Sequence, residues 1–124
     1  MLLIDGLVLE RPYTAFIANQ YWGDTRGRTL QSQDINWLLG LWSGNYGHYA
    51  EGWVNSPQPA AEVNRPYVAD AVGTESESFF VINGTDWTVN SAPVGVPGGL
   101  AIGGAGMFPG EVSDADVSEI IVYD

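Results

Sequence analysis

Short runs of alternating or continuously apolar residues, cut by glycine, proline and acidic turns, fill this chain from end to end. Residues 13–21 alternate, with Tyr13, Ala15, Ile17 and Asn19 on one side and Thr14, Phe16 and Ala18 on the other. A period of two predicts a strand with two unlike faces. Residues 35–42 are almost continuously apolar, which predicts a central strand covered on both sides. Trp37, Leu39 and Leu41 would share its core face, and Leu38, Gly40 and Trp42 the other. Ser43-Gly44-Asn45 then turns the chain, and residues 47–54 are expected to return as a hairpin partner. In that return strand Tyr49, Glu51 and Trp53 would fall on one face.

The remaining pieces read the same way. Residues 2–9, interrupted at Asp5-Gly6, predict a first strand that Arg11-Pro12 breaks. Further strands are expected at 28–31, 67–72, 78–82, 100–103 and 118–123. Asn83-Gly84, set between Phe79-Phe80-Val81-Ile82 and Trp87-Thr88-Val89, is the strongest hairpin signal in the chain. Many short strands with frequent turns predict an all-β, two-layer domain.

Composition narrows this picture. With 124 residues and 45% hydrophobic content, the chain supports one domain with a single core, residues 1–124, and residues 1–11 serve as a terminal strand or arm. Sixteen glycines and seven prolines leave no room for long helices. Fifteen acids stand against four arginines and no lysine, a formal net charge of −11. That field repels phosphate backbones and anionic lipid, so no nucleic-acid partner and no membrane insertion are expected. The absence of cysteine excludes disulfides and thiolate metal sites.

Four landmarks, in order, carry a family resemblance. They are the aromatic strand Pro12-Tyr13-Thr14-Ala15-Phe16, the strand Asn36-Trp37-Leu38-Leu39-Gly40, the segment Phe80-Val81-Ile82-Asn83-Gly84 and the terminal strand Ser118-Glu119-Ile120-Ile121-Val122-Tyr123. Together they resemble the later part of the laminin-G-like, concanavalin A-like lectin and glucanase jelly rolls. The resemblance implies a two-sheet antiparallel jelly-roll sandwich in an extracellular or cell-surface setting. Family members usually carry further strands upstream of the Pro12-Tyr13 segment, so this sandwich is expected to be N-terminally reduced or to borrow a strand.

Candidate chemistry is sparse. Five tryptophans and six tyrosines supply flat rings of the kind that stack on sugars. Tyr49, Glu51 and Trp53 form the expected ligand platform, two aromatics and an acceptor on one strand face. Asp114 and Asp116 are the expected metal residues, a calcium site completed by loop carbonyls; they lack the glycine and distal glutamate of an EF-hand. They are expected in a turn ahead of the terminal strand, away from any groove, so they make a poor glycosidase pair. His48 has no Ser or Cys partner that would suggest a triad. No catalytic residue is expected, and the chain is expected not to be an enzyme.

The expectation is a non-enzymatic extracellular recognition or adhesion module that binds a polysaccharide or glycoprotein. The alternative is a structural subunit of a self-assembling fibre or surface layer, a homo-oligomer or filament built by strand exchange. A glucan hydrolase is a distant third.

Overall fold

The computed structural model describes residues 2–60, 62–104 and 106–124. Two antiparallel sheets, and no helix among the described residues, lie face to face around one hydrophobic cluster. The six-stranded sheet has the order β1 (Leu2–Val8), β10 (Gly98–Ile102), β3 (Leu30–Ser32), β4 (Trp37–Trp42), β5 (Asn45–Ala50), β6 (Gln58–Pro59). The five-stranded sheet has the order β11 (Ser113–Tyr123), β2 (Tyr13–Arg26), β7 (Tyr67–Gly73), β8 (Ser78–Ile82), β9 (Asp86–Asn90). Neither sheet closes into a barrel. The all-β sandwich expected from the strand pattern is what the chain forms.

Local sequence explains most of the elements. Burial alternates residue by residue from Tyr13 to Tyr21, as the period-two pattern requires. Trp42 pairs with Asn45 across a two-residue turn in which Ser43 and Gly44 both have positive φ, 49° and 77°. That backbone matches the right-handed twist of the flanking strands. Asn83 and Gly84, with φ of 51° and 68°, make the β8–β9 turn, which closes with the Thr85 N–H donating to the Ile82 carbonyl at 3.2 Å. The Asn83 side chain accepts from the Val68 N–H at 2.9 Å, so the turn is also tied to β7.

Several elements differ from expectation. The acidic stretch at 113–117 is strand and not turn, because β2 runs on to Arg26 and offers a ladder that far. Register shifts between Ser113 and Ala115 and between Val117 and Glu119 absorb the mismatch. The two-residue β6 was not expected at all. Pro57 and Pro59 cannot donate to a ladder, so the sheet ends there. Leu2–Val8 pairs with β10 in the same chain, with Leu2 opposite Ile102 and Ile4 opposite Leu100.

In the core, large side chains meet small ones. Trp37, Leu39 and Leu41 project from β4, which lies across β2 and β7. Those strands answer with Ala15, Ala69 and Ala71, all fully buried, and the missing bulk makes room for the indole. Trp37 Nε1 donates to the Tyr13 hydroxyl at 3.1 Å, which satisfies both groups away from water.

A small polar cluster also lies between the sheets. Gly40 has φ of 98°, and the β3–β4 ladder ends at Leu39, so the Leu41 N–H turns to a side chain. The Thr29 hydroxyl accepts that N–H at 3.0 Å and donates to Asn19 Oδ1 at 3.0 Å, while Asn19 Nδ2 donates to the Tyr67 carbonyl at 3.3 Å. A Cβ at residue 40 would stand 3.0 Å from the Thr29 hydroxyl and 3.1 Å from Asn19 Oδ1, so the cluster and the glycine require each other.

Two substitutions probe these contacts by urea denaturation. Trp37→Ala should cost about 3–5 kcal/mol, the scale of a deleted core aromatic. Thr29→Val keeps the shape but orphans Leu41 N–H and Asn19 Oδ1. It should cost roughly 1–3 kcal/mol, and an unchanged midpoint would show that the cluster does not bind the sheets together.

Candidate functional site

Of the expected platform Tyr49, Glu51 and Trp53, the two aromatics come together by a route other than one long strand, and Glu51 does not join them. β5 stops at Ala50, because Glu51 takes a positive φ of 58° and the chain folds back at Glu51-Gly52. The Ala50 N–H donates to the Gly52 carbonyl at 2.9 Å, and Trp53 bridges back to Tyr49. Tyr49 and Trp53 therefore do meet, edge to face at 5.1 Å, with Trp42 a further 5.2 Å from the Trp53 ring. Gly47 permits this, since a Cβ there would stand 3.0 Å from the indole. Glu51 sits exposed at the turn tip, and the single strand expected over 47–54 is corrected to a strand and a turn.

Asp114 and Asp116 lie within β11 and reach separate partners. Asp114 accepts from the Thr25 N–H at 2.9 Å, and Asp116 accepts from Gln20 Nε2 at 3.3 Å. The Thr25 hydrogen bonds hold the Asp114 carboxyl below the usual carboxylate range. Among the described residues, no group of three or more His, Cys, Asp or Glu could hold a metal ion.

Sequence reasoning missed a broad concavity. A cleft of about 690 Å³ opens between the β5–β6 edge of one sheet and the β8–β9 edge of the other. It exists because β6 is only two residues long and β9 is exposed along most of its length, so the sheet edges part. Tyr46 and Phe80 form the aromatic floor, stacked at 6.5 Å with 23° between planes, and Tyr67 backs Tyr46 at 5.3 Å. Asn55, Ser56 and Gln58 line one wall, and Thr85, Asp86 and Thr88 the other. Asp86 and Thr88 stand opposite Ile82 and Phe80 in the ladder, which turns them to the cleft side of β9. Trp87 borders the cleft at the rim, 66% exposed and stacked on Phe79 at 6.2 Å.

Internal bonds hold parts of both walls, with Thr85 Oγ1 donating to the Ile82 carbonyl at 3.5 Å on the β8–β9 side. Asn55 Oδ1 accepts from the His48 N–H at 2.8 Å and its Nδ2 donates to the Ser56 carbonyl at 3.0 Å. Asp86 is the one ionisable acid on the lining, and no arginine lines it. Of the arginines, Arg28 pairs with Glu111 and lies 4.0 Å over the Phe108 ring, and Arg11 donates to the Thr74 and Glu77 carbonyls. Arg65, which covers Tyr67, pairs with Glu62 at 3.7 Å.

His48 lies beneath the cleft wall, wholly buried. Its Nδ1 is 2.9 Å from the Leu38 carbonyl, to which a neutral ring donates, and its Nε2 has no partner. The ring stands edge-on to Trp37 at 5.3 Å. No Ser hydroxyl reaches it, so it is a core residue.

With the geometry in hand, comparison with known proteins adds a fold likeness. No family model and no curated protein matches the chain. Among solved structures, Trypanosoma rangeli sialidase in complex with the inhibitor DANA matches with a TM-score of 0.58 at 13% identity, over 90% of this chain and 20% of that one. The chain thus spans about a fifth of the protein it matches. That protein is an enzyme, so the expectation that this chain is not an enzyme does not stand. At this identity the likeness is one of fold.

Burial pushes His48 down to about 4, whereas an unfolded histidine titrates near 6.5. The unfolded chain therefore takes up a proton that the fold refuses. Stability from this residue is complete above about pH 6.5 and falls as the pH drops toward 4, by about 3 kcal/mol. Urea midpoints at pH 7 and pH 4.5 should show that loss, and His48→Gln should flatten the slope between them.

Proposed function

We propose that this chain is a glycan-recognition module, laminin-G-like and of jelly-roll type, that binds polysaccharide or glycoprotein sugar in the cleft between β5–β6 and β8–β9. The observation that carries the reading is the chemistry of that cleft. The half-buried Tyr46 ring, backed by the buried Phe80 ring, suits the C–H face of a pyranose. Amides at Asn55 and Gln58, hydroxyls at Ser56, Thr85 and Thr88 and the Asp86 carboxylate suit its hydroxyl groups. The volume falls within the roughly 300–1,000 Å³ of small-molecule sites. The chain crosses between the sheets after β1, β2, β6, β9 and β10, and these repeated crossings favour the jelly-roll reading. The match to a fifth of a sialidase chain fits a module that works within a longer glycan-acting protein.

Binding by calorimetry, after a glycan array has supplied a ligand, tests the site. Gln58→Ala and Asp86→Asn change exposed side chains, so melting temperatures should hold. Affinity should fall about 5–30-fold with each, the worth of one or two hydrogen bonds to a sugar. Tyr49→Ala and Glu51→Ala probe the second aromatic cluster. A loss there, with none at Gln58 or Asp86, would move the site to the Tyr49–Trp53 platform. An array with no bound glycan would end the recognition reading.

A further inference from the structure

An antiparallel sheet that packs one face on a core normally turns polar residues outward. The five-stranded sheet does not. Its pairing register turns Phe16 on β2, Val68 and Val72 on β7, Phe79 and Val81 on β8 and Ile121 on β11 away from the core. Aromatic contacts extend the patch to both margins, Phe16 with Tyr123 at 6.3 Å and Phe79 with Trp87 at 6.2 Å. Monomeric proteins rarely leave a contiguous apolar surface of this kind uncovered.

One charged group stands in the middle of it. Asp70 is the central residue of β7, itself the central strand, and its register neighbours are Phe16 on one side and Val81 on the other. Its Oδ1 is shut off from water and has no hydrogen-bond partner. Burial raises its pKa above the ordinary carboxylate value, as expected for a carboxylate without a donor. A buried unpaired oxygen at the centre of an apolar face is costly in the isolated chain, and a cation brought against the half-exposed side of the same carboxylate would offset that cost through its charge.

The charge also selects among occupants. In a two-fold pairing of identical faces, each residue near the axis meets its own copy. Asp70 would then oppose Asp70, in chains that each carry a net charge of −11. A partner of opposite character fits better. We propose that the outer face of the β11-β2-β7-β8-β9 sheet is a docking surface for a protein partner whose contact surface is apolar around one Lys or Arg, and that this cation pairs with Asp70.

Two ions of the same shape and opposite charge probe this chemistry on the intact 124-residue chain. Tetraphenylphosphonium and tetraphenylborate would be titrated at moderate salt, with backbone amide shifts read by NMR. The cation should shift amides of β2, β7 and β8 and bind roughly tenfold more tightly than the anion, the scale of one partly desolvated charge pair. Asp70→Asn should bring the preference close to unity while the fold is retained, and Asp70→Ser serves if the amide variant fails to fold. A preference that survives both substitutions would reflect net charge alone and overturn the proposal. So would shifts confined to other surfaces, or no binding of either ion. Light scattering supplies the last arm: a stable dimer disrupted by Val68→Lys would assign the face to a second copy and refute the cationic partner.

Discussion

The hydrogen bonds that join Asn19, Thr29 and Leu41 set the distance between the two sheets and the place where they cross. β4 runs over β2 and β7 with an indole facing alanines, and at Gly40, with its positive φ, it comes close against Thr29 and Asn19. The β3–β4 ladder ends at Leu39, which leaves the Leu41 N–H inside the core, where an unpaired donor is expensive. Thr29 accepts it, Asn19 holds Thr29, and the Tyr67 carbonyl holds Asn19. Three strands and one connection are thus fixed by a single chain of polar contacts. Packing alone would allow the sheets to slide; this chain of contacts has one register.

The outer surface of the six-stranded sheet is organised around a second polar centre. Arg28, almost wholly buried, pairs with Glu111, donates to Asn36 Oδ1 at 2.9 Å and lies over Phe108. Glu111 also accepts from Trp42 Nε1 at 3.1 Å. The connection between β10 and β11 is thereby held down over β3 and β4, which explains why Leu38 is buried on a face that would otherwise meet solvent. The two sheets therefore differ: one has the outer face of its β3 and β4 covered by its own chain, the other leaves its central strands bare.

The strands were largely legible because their signals are local. Alternation from Tyr13 to Tyr21, the apolar run ending at Trp42 and the turns at Ser43-Gly44 and Asn83-Gly84 each depend on residues adjacent in sequence. Strand ends were less legible, because they depend on how far a neighbour extends: β11 begins early only because β2 runs to Arg26. The cleft was not legible at all. It is assembled from Tyr46, the 55–58 segment and β9, and it exists where two sheets stop, a property of edges that no single run encodes. Phe79-Phe80-Val81-Ile82 carried a subtler message. Four apolar residues in a row announce a strand covered on both faces, and the chain itself covers only one.

The pairing of β2 with β11 has a consequence for how the protein is made. Residues 13–26 find their ladder partner at 113–123, and residues 2–8 find theirs at 98–102. A chain emerging from the ribosome therefore carries β1 and β2 unpaired on at least one edge until residues 98–102 and 113–123 have been made. Such long-range closures are slow, because the loop entropy is spent before the contacts form. During that interval Tyr13, Ile17 and the apolar residues of β1 are open to any neighbouring nascent chain that offers an edge. Spacing between ribosomes on one message, or a chaperone that shields the leading strands, would govern the yield of folded protein as much as the stability of the finished sandwich.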